Sequence, residues 1–243
     1  MLAGDLIIIC GGDEAGRGAL LGPLVIALVS IRKEREHKLP ELGVRDSKLL
    51  TSKKREMLYD SIFGIAEEVK IEKIYPAEIN SAMKNNISLN ELEAIHFARL
   101  FDNMEKQVSM LYLDSPDIIE ERFGIRIKIL AKKQVRIAGI RAKATERSNT
   151  KIVTEHKADS RYPIVSAASI IAKVERDREI RKITKELGID IGSGYPSDYK
   201  TIDAVRKNIT RKDLGSHIRI CWKTFANIKQ TKLDNFGLNL NSI

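Results

Sequence analysis

Cysteine is scarce in this chain: Cys10 lies in an apolar stretch and Cys221 far downstream, with neither a metal-binding spacing nor a disulfide framework between them. A reducing interior is expected, with both thiols read as packing residues. Long apolar runs are also missing. No window reaches about 18 consecutive apolar residues, so no transmembrane helix is expected. The short apolar run near the amino terminus has no basic region before it, so a secretory leader is not expected either, and the expected location is the cytoplasm. Internal repeats and low-complexity tracts are absent, which removes solenoids and biased linkers. No histidine motif accompanies Ser166 or Ser169, so these hydroxyls read as helix packing rather than as nucleophiles.

What the chain has is positive charge. Its 42 Lys and Arg against 33 Asp and Glu leave a net +9 and a pI near 9.4, a balance suited to a polyanionic partner such as nucleic acid. The length allows a sizeable core, as one domain with an appendage or as two modest domains. Leu6–Cys10 and Leu24–Ile31 read as buried strands, and Glu67–Tyr75 alternates like a half-exposed one. From Asn90, residues Leu92, Ile95, His96, Arg99 and Leu100 fall at helical spacing, with His96 on the apolar side as a core residue. Met110–Leu113 is a short strand ending in Asp114, and Lys151–Glu155 is another running toward Asp159. Tyr162–Leu187 reads as a long helix whose small residues, Ala167 and Ala168, let it lie close to a sheet. Beyond Gly188, the loop Gly192-Ser-Gly-Tyr-Pro-Ser197 leads into a smaller helical lobe.

The run Gly11-Gly-Asp-Glu-Ala-Gly-Arg-Gly18 reads as a strand breaking into a glycine-rich loop, with two adjacent carboxylates at the break. Solvent, a cationic partner or a divalent metal would each satisfy Asp13 and Glu14. Asp114 and Asp159 also stand at or just past strand ends, and such ends converge at one edge of a mixed α/β sheet. Carboxylates gathered there repel one another, and hard divalent cations relieve that repulsion. An all-oxygen donor set favours Mg²⁺ or Mn²⁺ over Zn²⁺. An acidic cluster on a basic protein suits metal-assisted phosphodiester cleavage.

These motifs resemble those of the ribonuclease HII family, in its single-chain archaeal form, over nearly the whole chain. The similarity lies in Asp13–Gly18 continuing through Leu21-Gly-Pro-Leu24, in Asp46-Ser-Lys48 followed by Lys53-Lys-Arg55, and in Leu113-Asp-Ser115. It continues in His156-Lys-Ala-Asp159 with Ser166–Lys173 and Arg176-Asp177, in Gly194-Tyr-Pro-Ser-Asp198, and in Arg219-Ile-Cys-Trp-Lys-Thr224. Two positions depart from the pattern: Tyr199 stands where a proline is expected, and Cys221 replaces a serine.

The resemblance implies an α/β ribonuclease H-like fold, a five-stranded mixed sheet with helices on both faces, plus a C-terminal helical extension. The implied division is a catalytic domain over 1–190, a substrate-binding extension over 191–228 and a tail over 229–243. It implies endonucleolytic hydrolysis of RNA paired with DNA, including a cut 5′ to a single ribonucleotide in duplex DNA, leaving 3′-hydroxyl and 5′-phosphate ends, in ribonucleotide and primer removal. Asp13, Glu14, Asp114 and Asp159 become the catalytic, metal-holding set for two Mg²⁺ or Mn²⁺ ions, with Asp13 shared between them. Backbone groups of Gly16, Arg17 and Gly18 read the ribonucleotide, Tyr195 stacks on the following deoxyribose, and Lys48 contacts a backbone phosphate. Lys173 and Arg176 read as structural, and Trp222 as an anchor of the extension.

In the tail, Gln230, Leu233 and Phe236 have the spacing of a peptide that binds the sliding clamp PCNA, although Gly237 stands where a second aromatic is usual. The rival readings are ribonuclease HIII, whose additional amino-terminal domain has no counterpart before the first strand; a resolvase or other nuclease of the same superfold; and a catalytically silent nucleic-acid-binding protein or clamp adaptor. Keeping four carboxylates argues against the last, since a mere phosphate binder gains by losing them. A monomer is expected.

Overall fold

A computed structural model describes residues 6–45, 50–139, 148 and 150–235, with 231–235 as backbone alone. The first strand, β1 (Ile8–Ala15), does not break at its glycines; it runs through Gly11 and Gly12 and carries Asp13 and Glu14 as strand residues. Packing explains the departure from expectation. A Cβ at Gly11 would lie 2.3 Å from the Ile164 carbonyl oxygen, and one at Gly12 would lie 2.5 Å from a Leu113 methyl and 2.9 Å from the Phe97 ring. Successive strand residues point to opposite faces, so each glycine clears one face for a close neighbour.

Strand β2 (Leu24–Arg32) pairs antiparallel with β1, setting Asp13 opposite Ala27 and Glu14 opposite Ile26. It is buried along nearly its whole length, as a strand covered on both faces must be. There follow α1 (Lys38–Leu42), α2 (Ser52–Ile65), β3 (Glu68–Ile74), α3 (Pro76–Lys84), α4 (Leu89–Asp102), β4 (Met110–Asp114), α5 (Glu120–Leu130), β5 (Val135–Ile137) and β6 (Thr150–Glu155). The chain then forms α6 (Ala158–Arg161), α7 (Pro163–Leu187), α8 (Tyr199–Asn208), α9 (Lys212–Gly215) and α10 (Lys223–Asn235). The sheet order is β3-β2-β1-β4-β6-β5, with β1–β4, β4–β6 and β5–β6 parallel.

Among the described residues the sheet therefore has six strands rather than the expected five. The addition is β5, whose three residues pair with Thr150–Ile152 and bury Val135 and Ile137. A run that short carries too little alternation to be read from sequence. The expected layering holds: helices cover both faces of a mixed α/β sheet. On one face Ala167, Ala168, Ile170 and Ile171 of α7 join a core with Val25, Ala27 and Val29. On the other, Phe97 of α4 and Phe123 of α5 meet edge to face at 5.8 Å.

The contacts divide the chain into two compact units. The first comprises the described residues of Met1–Ala15, Val25–Glu72 and Asn90–Val174; the second comprises those of Gly16–Leu24, Lys73–Leu89 and Glu175–Ile243. The second has its own core, in which Leu20, Leu21, Ile180, Ile183, Val205 and Leu214 are buried together. Trp222 is partly buried against that core, with the Arg219 guanidinium 5.2 Å from its ring centre. Cys10 is buried as expected, but Cys221 is exposed, its thiol 3.2 Å from the Asn80 side-chain oxygen, and it is not a packing residue.

Candidate active site

Asp13 sits near the C-terminal end of β1 and is only 6% exposed. Its Oδ1 accepts the Glu14 N–H at 2.8 Å, and Ser169 of α7 supplies a side-chain hydrogen bond. Burial pushes the Asp13 carboxyl well above the usual carboxylate range, and the charges of Glu14 and Asp114 push it further. Asp114 reaches it through strand register. Gly12 pairs with Leu113 across the parallel β1–β4 ladder, so the next residues, Asp13 and Asp114, stand side by side on strands about 4.8 Å apart.

Asp159 arrives by a different route. The chain leaves β6 at Glu155, turns through Lys157 at φ 55°, and enters the single turn of α6, where Asp159 is buried. Ala158, its neighbour, donates its N–H to Asp114 Oδ1 at 2.7 Å, which ties the fourth carboxylate's turn to the third carboxylate. Ser166 of α7 donates to the Asp159 carbonyl. Behind the turn, Glu155 accepts from Tyr162 at 2.7 Å and Arg161 at 2.6 Å, closing α6 from its far side.

Asp13, Glu14 and Asp114 thus interact electrostatically, and Asp159 is joined to Asp114 through the backbone. Among the described residues no three His, Cys, Asp and Glu side chains stand together as a ready-made cation cage. The donor chemistry nonetheless fits a hard divalent cation: the donors are all oxygen, and a buried carboxyl between two like charges carries a repulsion that a cation removes.

Gly16, Arg17, Gly18 and Tyr195 fall in the second unit. Gly16 has φ +91°, and a Cβ there would lie 2.7 Å from the Pro23 carbonyl oxygen, so the turn requires glycine. Arg17 is half-buried and Gly18 exposed. Leu20 and Leu21 both donate their N–H to the Gly194 carbonyl, at 2.8 and 3.0 Å, which binds the Gly16–Gly18 turn's continuation to the loop of Tyr195. The Tyr195 ring lies 4.1 Å from the guanidinium of Arg176, which is buried and donates to the Ser193 carbonyl at 2.5 Å. Burial lowers the Arg176 pKa, and the Tyr195 oxygen and Asp177 oppose that shift.

Tyr199, the departure from the expected proline, is the first residue of α8 behind the Asp198 cap and is exposed. The N–H of a first helical residue has no intrahelical partner, so the position accepts either residue. Lys48 and Phe236 lie outside the described residues. Gln230 is exposed on α10, whose backbone continues past Leu233.

Sequence reasoning missed Ser169 as a partner of Asp13. The available signal was a hydroxyl in an otherwise apolar helical stretch, which burial obliges to find a partner. It also assigned Arg176 to local acidic pairing. The contact with Asp177 exists at 3.6 Å, but the aromatic contact is the larger structural fact. Among the described residues no helix is long and apolar enough to cross a membrane.

Residues 10–225 match the family model for ribonuclease HII. A ribonuclease HII of Thermoplasma volcanium is 42% identical over 222 residues, covering 91% of this chain and 92% of that protein. The crystal structure of ribonuclease H2 from Pyrococcus horikoshii superimposes with a TM-score of 0.79 at 36% identity, covering 93% and 99% of the two chains. A ribonuclease HII of Archaeoglobus fulgidus, solved in complex with PCNA, gives 0.75 at 35% identity, covering 89% and 96%. With the carboxylate-bearing β1 and β4 of a ribonuclease H-like sheet, these similarities settle the assignment: the chain belongs to the ribonuclease HII family of ribonuclease H endonucleases.

Proposed function

We propose that this endoribonuclease cuts 5′ to ribonucleotides in duplex DNA and within RNA/DNA hybrids, using Asp13, Glu14, Asp114 and Asp159 to hold Mg²⁺ or Mn²⁺. The observation that carries the site assignment is the buried Asp13 set beside both Glu14 and Asp114. When bound, two such ions supply activation of the attacking water and neutralisation of charge at the scissile phosphate and leaving oxygen. Asp13 would help to hold them, and Ser169 and the Glu14 N–H fix its carboxylate in one orientation. The Ala158 N–H orients Asp114. Glu14 and Asp159 complete the donor set.

Ribose is told from deoxyribose by donors and acceptors aimed at the 2′-hydroxyl. The backbone of Gly16, Arg17 and Gly18 fills that role, and Tyr195, with Arg176 against its ring, stacks on the deoxyribose that follows. Lys48 contributes a point charge to a phosphate. In this reading 1–190 is the catalytic domain, 191–228 the substrate-holding extension and 229–243 a tail docking on PCNA through Gln230, Leu233 and Phe236. The Archaeoglobus fulgidus relative solved with PCNA supports that partner.

The test is cleavage of a labelled DNA duplex carrying one ribonucleotide, with Mg²⁺, Mn²⁺ or EDTA, beside the all-DNA duplex. A metal-dependent cut only 5′ to the ribonucleotide is expected. Cleavage of long hybrid alone moves the assignment to a hybrid-only enzyme, and cleavage of neither substrate overturns it.

A further inference from the structure

Arg219 is fully buried in the second unit, and its guanidinium is spent on main-chain carbonyls of one short stretch. Nε and one terminal nitrogen donate to the Gly22 oxygen at 3.2 and 3.1 Å, while the other terminal nitrogen donates to the Arg17 oxygen at 2.9 Å. The backbone around it grips the same stretch: Arg219 N donates to Leu20 O at 3.0 Å, Gly22 N donates to His217 O at 3.0 Å, and Leu21 bridges Ile218. A buried cation is costly unless its donors are satisfied. Here the satisfaction comes from both ends of the turn carrying Arg17 and Gly18.

Gly18 supplies a separate observation. Its φ lies outside the left-handed region, and a Cβ built on it meets nothing within 4 Å. The fold demands glycine at Gly16 but makes no such demand at Gly18. The exposed space there is available to a ligand approaching the backbone.

The two observations meet in one peptide unit. The Arg17–Gly18 bond is not cis, and in a trans peptide the carbonyl and the following N–H point in opposite directions. Fixing the Arg17 oxygen on Arg219 therefore fixes the Gly18 N–H on the opposite side. We propose that Arg219 is a positioning residue for ribonucleotide recognition: through the Arg17 carbonyl it presets the Arg17–Gly18 peptide, so that the Gly18 N–H is aimed at the substrate before binding. This rests on the reading of Gly16–Gly18 as the recognition turn.

The experiment compares binding of two otherwise identical duplexes, one all-DNA and one with a single ribonucleotide, in EDTA so that neither is cut. Wild-type protein is expected to favour the ribonucleotide duplex. Arg219→Lys keeps the charge but cannot fork to Gly22 and Arg17 together. It should reduce that preference about tenfold, the scale of one lost hydrogen bond to a preset donor, while affinity for all-DNA duplex and the circular dichroism spectrum stay unchanged. A merely structural role would weaken both duplexes alike. In a Gly18→Ala background the same substitution should change the preference little, because both act through one peptide. If Arg219→Lys fails to fold, Arg219→Gln, with a neutral donor in reach of one carbonyl, carries the comparison. A folded Arg219 variant with the wild-type preference overturns the proposal. A wild-type protein without any preference overturns the recognition turn itself, a separate and recognisable result.

Discussion

Replacing Asp13 by Asn separates the electrostatic cost of the candidate metal site from its function. The amide keeps the shape and can still accept from Ser169 and the Glu14 N–H, but it removes the charge held between Glu14 and Asp114. The folded-state pKa of Asp13 is raised, so between the ordinary carboxylate value and that raised value the native protein binds more protons than the unfolded chain. Metal-free stability accordingly falls as pH rises through the window, by about 1.4 kcal/mol per pH unit for this one group. For a chain of this size that slope corresponds to roughly 3–6 °C in Tm per unit.

Thermal unfolding in EDTA at successive pH values should show Asp13→Asn gaining on wild type as pH rises, then running parallel once Asp13 is ionised. Mg²⁺ or Mn²⁺ reverses the order. At a hundredfold excess over its dissociation constant a metal bound at this site would stabilise wild type by about 2.7 kcal/mol, and the variant, lacking the Asp13 carboxylate, should gain much less. Cleavage by the variant should fall by orders of magnitude. Parallel pH curves throughout the window would refute the buried-charge argument. Metal stabilisation of Asp13→Asn equal to wild type would refute the ligand assignment.

Tyr195→Ala should lower kcat/KM on a single-ribonucleotide duplex by about 5- to 150-fold, the scale of a lost base–aromatic stack taken as a guide to stacking on sugar; Tyr195→Phe, which keeps the ring over Arg176, should lose far less, and equal losses would remove the stacking role. Gly11→Ala forces a Cβ against the Ile164 carbonyl and should cost about 1–3 kcal/mol in urea unfolding. Gly64→Ala, exposed in α2 with nothing within 4 Å, should instead gain about 0.5–1 kcal/mol, so the sign separates the two sites. Phe236→Ala should abolish PCNA capture in a pull-down while leaving cleavage of free substrate unchanged, and retained capture would remove the tail assignment.

The strands bearing the carboxylates were legible because an apolar run ending in an acid is a local pattern: Met110–Asp114 and the approach to Asp159 were read directly from residue order. Gly11 and Gly12 were misread because a loop glycine and a glycine pressed by a helix look alike in sequence. The group that presses on Gly11, the Ile164 carbonyl, lies in a distant helix. The same distance hid the hydrogen bond from Ser169 to Asp13, and that from Arg219 to Arg17 across 202 positions. Cys221 was placed in the core by residue type, yet its neighbour Arg219 takes the buried position and leaves the thiol outside. Local chemistry thus showed which groups are available; long-range packing decided which of them are aimed.

The separation between Arg17 and Arg219 also orders events during biosynthesis. Strands β1 and β2 leave the ribosome early, whereas the residue that grips the turn between them is made about 200 positions later. At about 5–20 residues per second, that turn waits roughly 10–40 s for its arginine. A chain stalled before Arg219 would therefore carry the Arg17–Gly18 turn without the side chain that holds the Arg17 and Gly22 carbonyls. Translation order leaves the turn between β1 and β2 unfixed until Arg219 has been made.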